Sequence, residues 1–247
     1  MTSAREYLDQ FASLDLGRAA RSGVPEVVLA EGKTAEQTVA IARHLLERIG
    51  RVLISRVPPA TLTALQQTFA ETVEWTVYSE GRTLALSRPG CAPPRTGGRV
   101  GVLTAGTSDL PVAEEAIALC IEMGCEVQRA GDVGVAGLHR LFEPLRAMLD
   151  ASVDVIIVVA GMDGALPSVV AGLVDVPVIG LPTSVGYGFG GGGIGALTSM
   201  LQTCTPGLAV VNIDNGIGAG AIAGRIANRA AAARRAYDRQ AKDRDHG

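Results

Sequence analysis

The sequence predicts an α/β protein: a doubly wound, parallel five-stranded sheet preceded by a smaller α/β domain. Three observations carry that prediction. Apolar, β-branched runs recur at 100–104, 126–129, 153–159, 176–181 and 208–213, with helical segments between them. The last two runs are rich in Val, Ile and Leu, the pattern of strands buried on both faces. Five β-then-α units in succession call for parallel pairing in a flavodoxin-like arrangement. Ahead of the first run, the Pro- and Gly-rich stretch 88–98 continues no element and reads as a linker. The expected division is therefore an N-terminal α/β domain at 1–87, a linker at 88–98 and a catalytic domain at 99–247.

In the first domain, residues 34–49 read as a helix with Val39, Ala42, Leu45, Leu46 and Ile49 on one face. Thr34 and Gln37 have the spacing of a capping box, and Gly50 supplies the stop. Strands are expected at 52–55, 74–79 and 83–87, around a helix that follows Pro58-Pro59.

Composition excludes several function classes. A formal net charge of −3 offers no general attraction to nucleic acid or to an anionic membrane. Four Phe, four Tyr and one Trp are too few for a stacking platform along single-stranded nucleic acid. No apolar stretch reaches the length of a membrane span, and the first residues lack the apolar core of a signal peptide. Cys91, Cys120, Cys125 and Cys204 form no CxxC pair, so reduced thiols in a cytoplasm are expected rather than zinc or disulfides.

Each strand of the second domain runs into small or polar residues, and in a parallel sheet those five turns converge on one edge. The first, Gly106-Thr107-Ser108-Asp109-Leu110-Pro111, opens a helix. Ser108 or Asp109 is suited to cap it, and Pro111 fits its first turn. Backbone N–H groups there suit a phosphate, with Asp109 placed for a ribose hydroxyl. The other turns carry Asp132, Gly161 with Asp163, Ser184 with Tyr187 and Gly188, and Asn212 with Asp214 and Asn215. Gly186, Gly188 and Gly191 match GxGxxG, and Gly216, Gly218 and Ala221 match GxGxxA. A dinucleotide fingerprint opens the first βαβ unit of its domain, and these follow the fourth and fifth strands, so neither marks an NAD site.

Among the thiols, Cys120 and Cys125 flank the end of an apolar helix and read as packed groups. Cys204, in Gln-Thr-Cys-Thr-Pro-Gly just before the last strand, is expected near the ligand edge as a candidate nucleophile. His139, in Gly-Leu-His-Arg, is the histidine of the second domain placed for acid–base work.

The motif string has a family likeness. Glu31-Gly-Lys-Thr, Thr104-Ala-Gly-Thr-Ser-Asp-Leu-Pro, Asp132-Val-Gly-Val-Ala-Gly-Leu-His-Arg, Gly161-Met-Asp-Gly-Ala-Leu-Pro, Pro182-Thr-Ser-Val-Gly-Tyr-Gly and Cys204-Thr-Pro-Gly-Leu-Ala-Val-Val-Asn-Ile-Asp-Asn-Gly span most of the chain. Through them the second domain resembles the PurE-like aminoimidazole ribonucleotide carboxylases. The whole resembles the LarB family, the carboxylase/hydrolases of nickel-pincer cofactor synthesis. The resemblance implies a PurE-type sheet, a homo-octamer and a Mg2+ requirement. It implies carboxylation of the pyridinium ring of nicotinic acid adenine dinucleotide by CO2 or bicarbonate. Hydrolysis of the pyrophosphate would then yield pyridinium-3,5-biscarboxylic acid mononucleotide and AMP.

On this resemblance Cys204 is the nucleophile: its thiolate adds to the electrophilic ring and makes a neighbouring ring carbon able to attack CO2. Asp163, where the family pattern has Glu, is the base that removes the ring proton, with His139 or a water as the alternative. Thr107, Ser108 and Asp109 carry over to phosphate and ribose, and Ser184 and Tyr187 to the ring. Gly106, Asp132, Gly161, Gly188, Asn212, Asp214 and Asn215 complete the substrate site. Two other readings stand beside this one. A carboxylase or mutase acting on aminoimidazole ribonucleotide calls for a histidine in the segment 161–167, which has none. A non-catalytic nucleotide-binding module would use Cys204 only as a packed thiol.

Overall fold

The computed structural model describes residue 8, residues 11–79 and residues 82–245, the last three by backbone alone. The amino-terminal stretch read above for a signal peptide, residues 1–7, lies outside these. The chain forms two compact units, residues 1–93 and 94–247.

The first unit contains α1 (Arg18–Ser22), β1 (Val27–Leu29), α2 (Ala35–Arg48), β2 (Arg51–Ser55), α3 (Pro59–Phe69), β3 (Glu74–Tyr78) and β4 (Thr83–Ser87). The strand order is β1-β2-β4-β3, with β1 parallel to β2 and the other pairs antiparallel. The capping box of α2 is present in full. Gln37 N–H donates to Thr34 Oγ1 at 3.2 Å, and Thr34 N–H donates to Gln37 Oε1 at 3.0 Å. Its buried face is Thr38, Ile41, Ala42, Leu45 and Leu46. Ile49 is not part of it: as the residue at which the chain leaves the helix for Gly50, it is exposed. Sequence reading also missed β1, whose three residues are too few to show a period.

The second unit contains β5 (Arg99–Thr104), α4 (Leu110–Glu122), β6 (Glu126–Ala130), α5 (His139–Asp150), β7 (Val155–Ala160), α6 (Leu166–Ala171), β8 (Val178–Pro182), α7 (Ile194–Leu201), β9 (Leu208–Val210) and α8 (Gly216–Asp245). All pairs are parallel in the order β6-β5-β7-β8-β9, which is the flavodoxin-like order. Every residue of β7 and β8 is buried. The run at 208–213, read as a strand buried on both faces, is instead a three-residue edge strand with Ala209 exposed. An edge strand has one neighbour to cover it, whatever its composition. No helix among the described residues is long and apolar enough to cross a membrane.

Helix α8 packs on α4 through small residues. Ala219, Ala223, Ala227 and Ala231 are at most 2% exposed. A Cβ on Gly220 would stand 2.8 Å from the Ala116 carbonyl oxygen, so glycine is what lets the two helices approach this closely. Cys120 Sγ donates to the Gly220 carbonyl at 3.6 Å across the same contact. Gly220→Val is expected to push the helices apart and cost about 1–3 kcal/mol. A lowered urea midpoint at unchanged slope will report it.

Candidate active site at the carboxyl edge of the parallel sheet

The turns after β5, β6, β7 and β8 build a concave patch at one edge of the second unit. Its centre is a pocket of about 250 Å³. Gly106, Ser108 and Asp109 line it from the turn after β5, Gly161, Met162 and Asp163 from the turn after β7, and Val185 from the turn after β8. A larger groove of about 570 Å³ lies in the first unit between α2 and α3. Its ionisable groups are surface charges of helix α2 such as Glu36, Arg43 and His44, with no convergent set of acid, base and nucleophile.

Non-glycine residues in the left-handed region mark three of the five turns. Asp132 has φ 58°, Met162 φ 50° and Asp214 φ 55°. Backbone held this way costs free energy and persists where surrounding contacts impose it. For Met162 those contacts are explicit: its N–H donates to the Val185 carbonyl at 2.8 Å. A Cβ on Gly161 would lie 2.1 Å from that same oxygen, so the turn admits no side chain there.

Asp109 and Asp163 are the titratable groups lining the pocket, and their surroundings separate their roles. Asp109 is 3% exposed. Its Oδ2 accepts from Gly106 N–H at 2.9 Å and its Oδ1 from the Thr183 hydroxyl at 2.6 Å. Burial raises its pKa above the ordinary 3.8, and the hydrogen bonds from Thr183, Gly106 and Gly161 oppose that shift. The expectation that Ser108 or Asp109 caps α4 is not met, since no side chain caps that helix. The Asp109 carboxylate turns inward to bind its own loop and the turn after β8, so both its oxygens are already engaged. Pro111 does occupy the first turn of α4. Asp163 is exposed, and it accepts only a long bond, 3.4 Å, from Ala165 N–H. It is the carboxylate of the pair available to take a proton.

The remaining predicted residues divide by what holds them. Asp132 is ion-paired with Arg140, the second residue of α5, and His139 stands exposed at the start of that helix. Ser184 N–H donates to Asp214 Oδ1 at 2.8 Å, which joins the turns after β8 and β9. Asn215 caps α8, its Oδ1 accepting from Gly218 N–H at 2.8 Å. Asn212 closes on its neighbour, accepting from Ile213 N–H at 2.9 Å. Thr107 is exposed in the turn that opens α4, and Tyr187 and Gly188 are exposed on the glycine-rich loop. Thr183 was missed by sequence reading. It stands beside Ser184 in the same motif, and only the fold reveals which hydroxyl turns inward.

Cys204 is the largest departure. It is exposed, as a reactive thiol must be, whereas Cys120 and Cys125 are buried. Burial pushes the Cys125 thiol up to about 11 and Cys120 further still, which makes both inert. Yet Cys204 does not lie at the ligand edge of its own chain. It sits in the connection from α7 to β9, and the Gly207 carbonyl accepts from Val178 N–H at the start of β8. The thiol is therefore at the amino edge of the sheet. Asp163, after β7, is at the carboxyl edge, and the length of β8, about 13 Å, separates the two edges. Reading Cys204 as close to a strand in sequence left out the strand's direction.

Comparison with known proteins now has a site to attach to. AIR carboxylase matches residues 99–245, and the LarB/PurE-like N-terminal domain matches residues 6–88. The chain is a LarB-type member of the PurE-like AIR carboxylase family. An uncharacterized protein of Methanocaldococcus jannaschii is 44% identical over 229 residues, covering 90% of this chain and 86% of that one. The N5-carboxyaminoimidazole ribonucleotide mutase of the same organism is 35% identical over 125 residues, 49% of this chain and 74% of the mutase. The mutase of Thermotoga maritima is 32% identical over 135 residues, 52% and 74%. Family membership supports a carboxylase-family function carried by the PurE-like domain.

Replacing Asp109 tests the inward carboxylate. A carboxyl with a raised folded pKa contributes stability at low pH that is lost as pH rises from 3.8 through its folded value. Asn mimics the protonated form, so the difference in unfolding free energy, wild type minus Asp109→Asn, is expected to fall as pH rises. Urea melts from about pH 4 to about pH 7 will read it.

Proposed function

We propose that this protein carboxylates the pyridinium ring of nicotinic acid adenine dinucleotide and hydrolyses its pyrophosphate, giving pyridinium-3,5-biscarboxylic acid mononucleotide and AMP. The observation that carries the reading is the pocket's chemistry. Its accessible proton acceptor is a carboxylate, Asp163, and no imidazole lines it. The chain's exposed thiol, Cys204, stands in a motif shared with the LarB pattern. The exposed Asp163 carboxylate in the pocket also suits a cationic ring.

The chemistry balances with these groups. The Cys204 thiolate forms a C–S bond to the ring, and the ring π electrons neutralise the pyridinium nitrogen. The resulting enamine carbon attacks CO2 and forms the new C–C bond. The Asp163 carboxylate takes the proton from that carbon, and departure of the thiolate restores the aromatic cation. Water then divides the pyrophosphate. A reduced thiol of this kind fits a cytoplasmic setting.

Because Cys204 and Asp163 of one chain occupy opposite edges, this reading requires a second copy to bring its Cys204 to the pocket. The homo-octamer implied by the family likeness would supply that copy. Among the described residues no group of three or more His, Cys, Asp or Glu is placed to hold a metal ion. Mg2+ is proposed to arrive on the substrate's pyrophosphate, where a cation that keeps most of its waters needs few protein ligands.

A mutase acting on carboxyaminoimidazole ribonucleotide is the second reading, favoured by the names of the relatives that match the second unit. The test is incubation with the dinucleotide, Mg2+ and bicarbonate, with products read by mass spectrometry. Cys204→Ala and an aminoimidazole ribonucleotide arm run in parallel. A dicarboxylated mononucleotide with AMP, absent from the variant, is expected. Turnover of the imidazole substrate alone would assign the protein to the mutases, and no turnover of either would leave a nucleotide-binding module.

A further inference from the structure

Asp163 stands third in a four-residue turn, Gly161-Met162-Asp163-Gly164, which is closed by Gly164 N–H donating to the Gly161 carbonyl at 3.0 Å. The second residue of the turn, Met162, is held at φ 50°. A residue with a side chain keeps that left-handed conformation only where its surroundings impose it. The direction of the Asp163 carboxylate therefore depends on whatever holds this turn from outside.

The segment after β8 holds it. Met162 N–H donates to the Val185 carbonyl at 2.8 Å, and Thr183 N–H donates to the Ala160 carbonyl at 3.0 Å. Thr183 Oγ1 lies against the first residue of the turn, since a Cβ on Gly161 would stand 2.7 Å from it. The same hydroxyl donates to Asp109 Oδ1 at 2.6 Å, and Asp109 Oδ2 accepts from Gly106 N–H at 2.9 Å. One hydroxyl thus joins the turns after β5, β7 and β8, and it touches the chain two residues before Asp163. Thr183 and Asp109 are 0% and 3% exposed, so the junction is already closed within one chain and a second copy only covers it further.

A wholly buried hydroxyl touches no substrate, but it sets where the turn beside it points. Without it a buried Asp109 oxygen loses its donor, and the cost of leaving that oxygen unpaired drives the loops around it to rearrange. The turn that carries Asp163 is one of those loops, and proton transfer needs the base within about 3.2 Å of its target. We propose that Thr183 is a positioning residue for proton removal. Its hydroxyl, bonded to Asp109 and packed on Gly161, holds the Asp163 carboxylate within reach of the ring carbon that receives CO2. This rests on the reading of Asp163 as the base given above.

The test is steady-state carboxylation of nicotinic acid adenine dinucleotide, with protium or deuterium on the ring carbon that takes CO2. The full-length wild type is compared with Thr183→Val, Thr183→Ala and Thr183→Ser, each matched to it in oligomer mass. Thr183→Val keeps the side-chain shape without the hydroxyl, and Thr183→Ala stands in for it if the valine variant melts below the assay temperature. Loss of the hydroxyl is expected to lower kcat roughly 10- to 100-fold, the scale for misplacing a catalytic group by about 1 Å. KM for the dinucleotide should be unchanged. The deuterium isotope effect on kcat should be at least as large as in wild type, because the slowed step breaks the C–H bond. Thr183→Ser should recover most of kcat. Wild-type kcat without the hydroxyl would overturn the positioning role alone. So would a raised KM at unchanged kcat, a smaller isotope effect, or a serine variant as slow as the valine one. Wild type that turns over no dinucleotide would overturn both this role and the substrate reading beneath it.

Discussion

Strand direction is the constraint on which the rest of this structure depends. Five parallel strands, each returned by a helical crossover, place every residue that follows a strand on one edge and every residue that precedes one on the other. The hydrogen bond from Thr183 to Asp109 is a product of that rule. Thr183 follows β8 and Asp109 follows β5, and β7 lies between them in the sheet. The bond therefore spans the end of β7 and holds the turn that carries Gly161 and Asp163 from both sides. Asp109 is buried so that Asp163 can be presented.

The same rule separates the two residues proposed to do the chemistry. Asp163 comes after a strand and Cys204 comes before one, so no rotation of a side chain within one copy brings them together. On the proposed reading, a neighbouring copy supplies the Cys204 that the pocket of one copy lacks. Assembly is then part of the chemistry rather than an addition to it.

The sequence made the sheet legible because five apolar runs with helical spacers leave few alternatives, and the order β6-β5-β7-β8-β9 follows from them. Helix α2 was legible down to its cap, since Thr34 and Gln37 act locally. What escaped was tertiary. The inward turn of Asp109, the choice of Thr183 over Ser184 and the exposure of β9 depend on neighbours distant in sequence. So does the edge on which Cys204 stands. Asp109, Ser184 and Cys204 were named from their chemistry, while their directions, and the part played by Thr183, required the fold.

The most direct test of the account is to co-express Cys204→Ala and Asp163→Asn chains under two affinity tags. The doubly purified mixed assembly is then assayed for dinucleotide carboxylation. Each variant alone is expected to be inactive, and the mixed assembly to recover activity, because an intact Cys204 of one chain can meet an intact Asp163 of another. A mixed assembly as inactive as its parents would contradict the proposed site, in which Cys204 and Asp163 come from different copies.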